Sequence, residues 1–136
     1  MTSSYRRILR ERAALDDAAF AEYVSDLEFP DFLRDIARFA AADRRALVLA
    51  PRGFAKTTAA IHRAARWIGL TEGRQRLGIL TAVDADAEAR ARAIRQLVAS
   101  ARFAEVFPWA RGGVKGPRWR DDVWTIRGVD LGKDAT

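Results

Sequence analysis

Cysteine is absent from the chain, and histidine occurs once, at His62. No disulfide framework or thiol nucleophile can exist, and a single imidazole cannot build the common Cys/His zinc sites. No apolar run approaches the ~20 residues of a membrane-spanning helix. The opening residues, with Tyr5-Arg6-Arg7 among them, lack the apolar stretch and small-residue cleavage site of a secretory signal. These absences predict a cytoplasmic protein without a membrane partner. Lysine is also scarce: of 24 basic residues only Lys56, Lys115 and Lys133 are lysines.

What is present fits one domain of 136 residues, a length that buries about two-thirds of its unfolded surface. The net charge of +6 permits a nucleic-acid or nucleotide partner, because Arg and Lys contacts to phosphate release counterions. The arginine excess in an alanine-rich chain fits GC-rich coding equally well.

The most informative stretch runs from Leu47 to Thr58, Leu-Val-Leu-Ala-Pro-Arg-Gly-Phe-Ala-Lys-Thr-Thr. Ala46 to Ala50 predicts a short buried strand, bounded by Arg44-Arg45 and Pro51. The residues after it predict a tight loop and a helix start, the arrangement in which backbone N–H groups and the helix dipole converge on a phosphate. In that role Pro51, Arg52, Gly53, Phe54, Ala55, Lys56, Thr57 and Thr58 form the loop. Lys56 bridges the outer phosphates of ATP, and the Thr57 hydroxyl ligates Mg²⁺. Counting back from Lys56, Ala55 and Ala50 occupy the two positions where the usual pattern carries glycine, so Gly53 must supply the permissive backbone. The competing reading is an ordinary strand-turn-helix with a surface lysine.

This degenerate loop after an apolar strand is similar to the ATPase loop of phage large terminase subunits, the motors that package DNA into procapsids. The resemblance extends from about Phe32 to Thr136, with its specificity concentrated at residues 47–58. It implies an α/β fold, a P-loop NTPase-like parallel sheet with helices on both faces and a helical lead-in. It also implies ATP hydrolysis with Mg²⁺, and by position it makes Arg52 a catalytic sensor of the γ-phosphate beside Lys56. The implied partners are double-stranded DNA, a portal, a small terminase subunit and further copies in a ring. Relatives often carry an adenine-contacting glutamine in the lead-in, whereas Gln75 is the first glutamine here. Another P-loop motor such as a helicase, and a non-catalytic remnant or basic nucleic-acid-binding protein, are the alternatives.

Along the chain, residues 1–43 predict the helical lead-in, with Asp16 or Asp17 as a cap and Phe32, Leu33, Ile36, Phe39 and Ala40 as one apolar stripe. Residues 44–136 predict a partial ATPase core. Within it, a helix over about 56–70 leads to a second parallel strand at 77–82 through a right-handed crossover. A further helix follows, with Asp84 as its cap and Ala87, Ala91, Ile94, Val98 and Ala101 as its apolar stripe. His62 is expected on the solvated side of its helix, and Arg90, Arg92 and Arg95 on a solvated face or a DNA track. Residues 103–109 predict a hydrophobic closure, 111–117 a glycine-rich loop, Asp121-Asp122 a turn, and 122–127 a strand placing Trp124 and Ile126 on one face. The metal-holding acids and nuclease domain of a terminase do not follow. The chain is thus expected to be the front of a longer protein, binding nucleotide weakly and hydrolysing little by itself.

Overall fold

The computed structural model describes residues 2–42, 44–49, 52–53 and 55–128. Six helices appear in order among them: α1 (Ser3–Ala13), α2 (Asp17–Ser25), α3 (Asp31–Ala42), α4 (Lys56–Thr71), α5 (Asp84–Val98) and α6 (Ala101–Val106). A 3-10 turn at Pro108–Ala110 leads to a hairpin of β1 (Lys115–Trp119) and β2 (Trp124–Ile126).

Local chemistry sets several of these boundaries. The Thr2 hydroxyl accepts from the Tyr5 N–H, the Asp16 carboxylate from the Ala18 N–H, and the Ser100 hydroxyl from the Phe103 N–H. Each satisfies a donor that helix geometry leaves without an intrahelical partner. At the far end of α4, Gly73 N–H donates to Ile68 O and Glu72 N–H to Gly69 O, closing the helix with Glu72 in the left-handed region.

The helices then bury their apolar stripes against one another. Leu9 and Ala13 of α1, Phe20 and Val24 of α2, Ala65 and Ile68 of α4, and Ile94 and Val98 of α5 enter one core with Phe103 and Phe107. Phe20 and Phe103 meet edge to face at 6.2 Å, and Phe103 lies 5.0 Å from Phe107. A smaller cluster of Ala18, Ala21, Phe29, Leu33 and Ala59 joins α2 and α3 to the start of α4.

The hairpin sits on α5 through four contacts. Trp124 Nε1–H donates to Ala91 O at 3.1 Å, and the Arg95 guanidinium lies 5.5 Å from the centre of the Trp119 ring. Arg95 and Arg92 also reach the Asp121 carboxylate, at 2.8 and 3.3 Å. Arg95, with Arg92 behind it, holds that carboxyl below its ordinary pKa. Two of the three arginines expected on a solvated face or DNA track thus fasten the hairpin, and Arg90 donates to Asp86 O.

The expected parallel sheet with helices on both faces is not what these residues build. The sheet among the described residues is the antiparallel pair β1–β2. Residues 46–49 and 77–81 hold no strand assignment, and Leu47, Leu49 and Leu80 are 77%, 84% and 99% exposed. Ala50 lies outside the described residues. The physical reason is that a short apolar run becomes a strand only by hydrogen-bonding to a neighbour, and a parallel one needs cover on both faces. No backbone hydrogen bond joins 46–49 or 77–81 to another strand among the described residues. Burial comes instead from helix against helix.

Smaller corrections follow the same logic. The expected glycine-rich loop at 111–117 contributes β1, whose Gly116 stands so close to Thr125 that a Cβ there would strike its carbonyl and hydroxyl. Asp84 lies in the first turn of α5 while Val83 is the residue before the helix, with no side-chain cap. Among the described residues no helix is long and apolar enough to cross a membrane.

Candidate functional site

The predicted loop ends where α4 begins, and the backbone there is unusual. Gly53 has φ +84°, and Ala55, directly before Lys56, has φ 54° and ψ 25°. The left-handed region is disfavoured for a residue with a Cβ by roughly 1–2 kcal/mol. An alanine is held in it only when its surroundings fix the turn, and such residues concentrate at functional sites.

Ala55 also leaves the helix start without a side-chain cap. Leading N–H groups of a helix are drawn to anions when no side chain occupies them. Lys56 and Thr58 are half-buried, while Arg52, Gly53 and Thr57 are exposed. Thr57 therefore presents its hydroxyl in the first turn of a 16-residue helix. Pro51 and Phe54 lie outside the described residues. The residues before the loop hold no strand assignment, and Leu47, Val48 and Leu49 border a shallow groove with Asp35, Ile36 and Phe39 of α3.

Behind the helix start is a polar assembly that spacing did not reveal. Asp17, 4% exposed, receives Arg63 at 3.2 Å and Arg66 at a shorter distance. Arg66 also donates to Ala14 O at 3.0 Å, and Arg63 to Ala40 O at 3.0 Å. One carboxylate thus ties α4 to α2, and the two guanidiniums extend the tie to the end of α1 and to α3. Arg63 and Arg66 are three apart on one helix, the only local sign of a shared partner.

His62 is buried, contrary to the expectation of a solvated residue. Its ring packs edge-on to Phe20 and Phe29 at 6.3 and 6.2 Å. Nδ1 lies 2.7 Å from Thr58 O and Nε2 lies 2.8 Å from Ser25 Oγ. A carbonyl can only accept, so Nδ1 carries the proton; in the neutral ring Nε2 accepts from the serine hydroxyl. The helix turn carrying the two threonines is thereby joined to the end of α2.

No family model, curated protein or solved structure matches this chain. The chemistry of the site rests on its own donor set: an ammonium, a guanidinium, two hydroxyls and an uncapped helix start within residues 52–58. All are suited to phosphate oxygens. Among the described residues no group of three or more His, Asp or Glu is gathered as a metal site.

Burial makes His62 a pH sensor of stability. Desolvation pushes its pKa below 6.5, outweighing the Thr58 carbonyl and the Asp17 charge, both of which favour the cation. Below pH 6.5 the unfolded chain takes up a proton that the folded chain resists, so stability present above that pH falls as the solution is acidified. Urea midpoints between pH 7.5 and 5.5 are expected to drop more for the wild type than for His62→Gln. Parallel curves would remove His62 as the cause.

Proposed function

We propose that residues 51–58 form a phosphate-binding loop for Mg-ATP, and that the chain is the ATP-binding, N-terminal part of a phage large terminase subunit acting on double-stranded DNA in the host cytoplasm. The observation that carries the nucleotide reading is the turn at Gly53 and Ala55, which opens an uncapped 16-residue helix directly at Lys56-Thr57-Thr58. Positive charge, hydroxyls and N–H donors meet there at one helix start. The terminase reading adds the order of residues around this loop, from the apolar run before Pro51 to the threonine pair after Lys56.

In this role the Lys56 ammonium binds the outer phosphates, and the Arg52 guanidinium contacts the γ-phosphate. The Thr57 hydroxyl would hold Mg²⁺, which supplies neutralisation of phosphate charge when bound. Left-handed Ala55 orients the first turn, and the Asp17 ion pairs and His62 keep the helix behind it in place. By the resemblance, the portal, a small subunit and further copies complete the packaging assembly, and this chain alone hydrolyses ATP little.

A charge-assisted contact contributes about 1.5–3 kcal/mol, so Lys56→Ala is expected to weaken Mg-ATP binding by about tenfold to a hundredfold. Calorimetric titration checks this, with circular dichroism as the control for folding. Equal affinities for the two proteins would refute the phosphate-loop reading.

A further inference from the structure

Residues 75–82 make no backbone-to-backbone hydrogen bond among the described residues, although each carries both an N–H and a C=O. Residues 76–81 form no helix, turn or bend. Leu77 and Ile79 line a groove of about 540 Å³, while Gly78 and Leu80 do not, and Leu80 is 99% exposed. Alternation with a period of two is the habit of a strand. The run therefore has the form of a sheet edge with an unpaired row of donors and acceptors, the template to which another chain pairs.

The groove beside this edge has an apolar lining and a charged rim. Ile68 of α4 and Ala87, Ala91 and Ile94 of α5 line it, and β2 borders it together with Val123. Arg76, Arg118, Asp84 and Glu88 line it as well, and their side chains have no hydrogen bond or ion pair among the described residues. These charges are sorted by sign. The run leads from Arg76 at its start to Asp84 just past its end. Gly73, shortly before Arg76, abuts Ile126 of β2, and the Arg118 N–H donates to Thr125 Oγ1 beside it. Trp124 instead donates to Ala91 O, one turn of α5 beyond Glu88 and two beyond Asp84. One end of the groove is thus cationic and the other anionic.

We infer that the groove receives an extended segment of another protein, which adds as a strand along residues 76–81. The lining fixes the chemistry of that segment. Its apolar side chains fall at alternate positions and point with Leu77 and Ile79 onto the helices. An acidic residue meets Arg76 and Arg118 at one end, and a basic residue meets Asp84 and Glu88 at the other. Six residues of strand span roughly 17 Å, so about seven residues of guest reach from one charge pair to the other. Main-chain bonds supply the affinity of such a contact and alternate side chains its specificity. A compact apolar molecule would fit the ~300–1,000 Å³ of ordinary ligand sites, but it would leave the N–H and C=O groups of the run to water. No residue of the groove belongs to the loop at 51–58, so the inference stands apart from the nucleotide reading.

Two fluorescein-labelled peptides with blocked ends serve as probes, Glu-Val-Thr-Val-Thr-Val-Lys and its reverse sequence, because parallel and antiparallel pairing place the acidic end differently. Fluorescence anisotropy is expected to show saturable binding of one of them below ~1 mM. Serine in place of the three valines is expected to abolish it. Of two N-methylated versions, at the valines or at the threonines, at least one is expected to fail, since it loses the donors that face the run. Arg76→Glu/Arg118→Glu, at exposed positions, is expected to weaken binding about fivefold or more, and a peptide with lysine in place of glutamate to recover it. Circular dichroism confirms that the variant is folded. Absence of saturable binding by both peptides would overturn the inference. So would full binding by both N-methylated versions, which assigns the groove to an apolar guest, or a dimer that the peptide dissociates, which assigns it to a second copy. Lys56→Ala is expected to bind the peptide as the wild type does, so failure of the nucleotide reading and failure of this one are read independently.

Discussion

Asp17→Ala is expected to destabilise the protein by about 3–5 kcal/mol, the range for removing one partner of a buried ion pair. The carboxylate is 4% exposed and is shared by Arg63 and Arg66. Its loss leaves Arg66, 13% exposed at the side chain, with a backbone carbonyl but no counter-charge. Arg63 is more open to water and contributes less to the penalty. Urea unfolding followed by circular dichroism measures the effect. A loss under about 1 kcal/mol, typical of a surface pair, would mean that the pairing is incidental. Because α4 carries Lys56 at its start, the proposed phosphate-loop reading adds the expectation that Asp17→Ala weakens Mg-ATP binding as well.

Phe103→Ala belongs in the same range, about 3–5 kcal/mol. The ring is fully buried and meets Phe20, Phe107 and Trp109 with centroids 6.2, 5.0 and 6.0 Å away. Its removal forfeits both the transfer energy of the ring and the contacts lining the cavity left behind. Phe103→Leu, which keeps most of the volume, is expected to lose less. Thermal and urea midpoints that fall equally for both substitutions would show that the site collapses freely and that the aromatic cluster is not the centre of the core.

How much of this was legible in the sequence depends on the range of the interaction. Helices α3, α4 and α5 were visible because their apolar residues recur at helical spacing, a property of the segment itself. Asp16 and Gly73 acted where local turn chemistry places them. The runs 46–49 and 77–81 misled because apolar, β-rich composition states what a segment would do beside a neighbour, without saying whether the neighbour is there. β1 was hidden by Gly116 and Pro117, residues usually absent from strand interiors. At the candidate site the Lys56-Thr57-Thr58 start was readable from order alone. The burial of His62 and the Asp17 ion pairs were not, since Ser25 lies 37 residues from His62, and Arg66 lies 49 from Asp17. Residue type carries no address for partners at such separations.

The ties between α2 and α6 have a consequence for the synthesis of the chain. Tyr23 hydroxyl meets Glu105 across 82 residues, Arg102 caps Tyr23 O at 3.1 Å, and Phe20 packs on Phe103 and Phe107. At ~5–20 residues per second on the ribosome, several seconds separate the appearance of α1 and α2 from that of α6. Through that interval Phe20 can meet His62 of α4 but lacks Phe103 and Phe107, and Tyr23 lacks Glu105. Closure of this part of the core waits for Phe103 and Phe107 to arrive, so its folding is gated by translation of α6 and the residue after it.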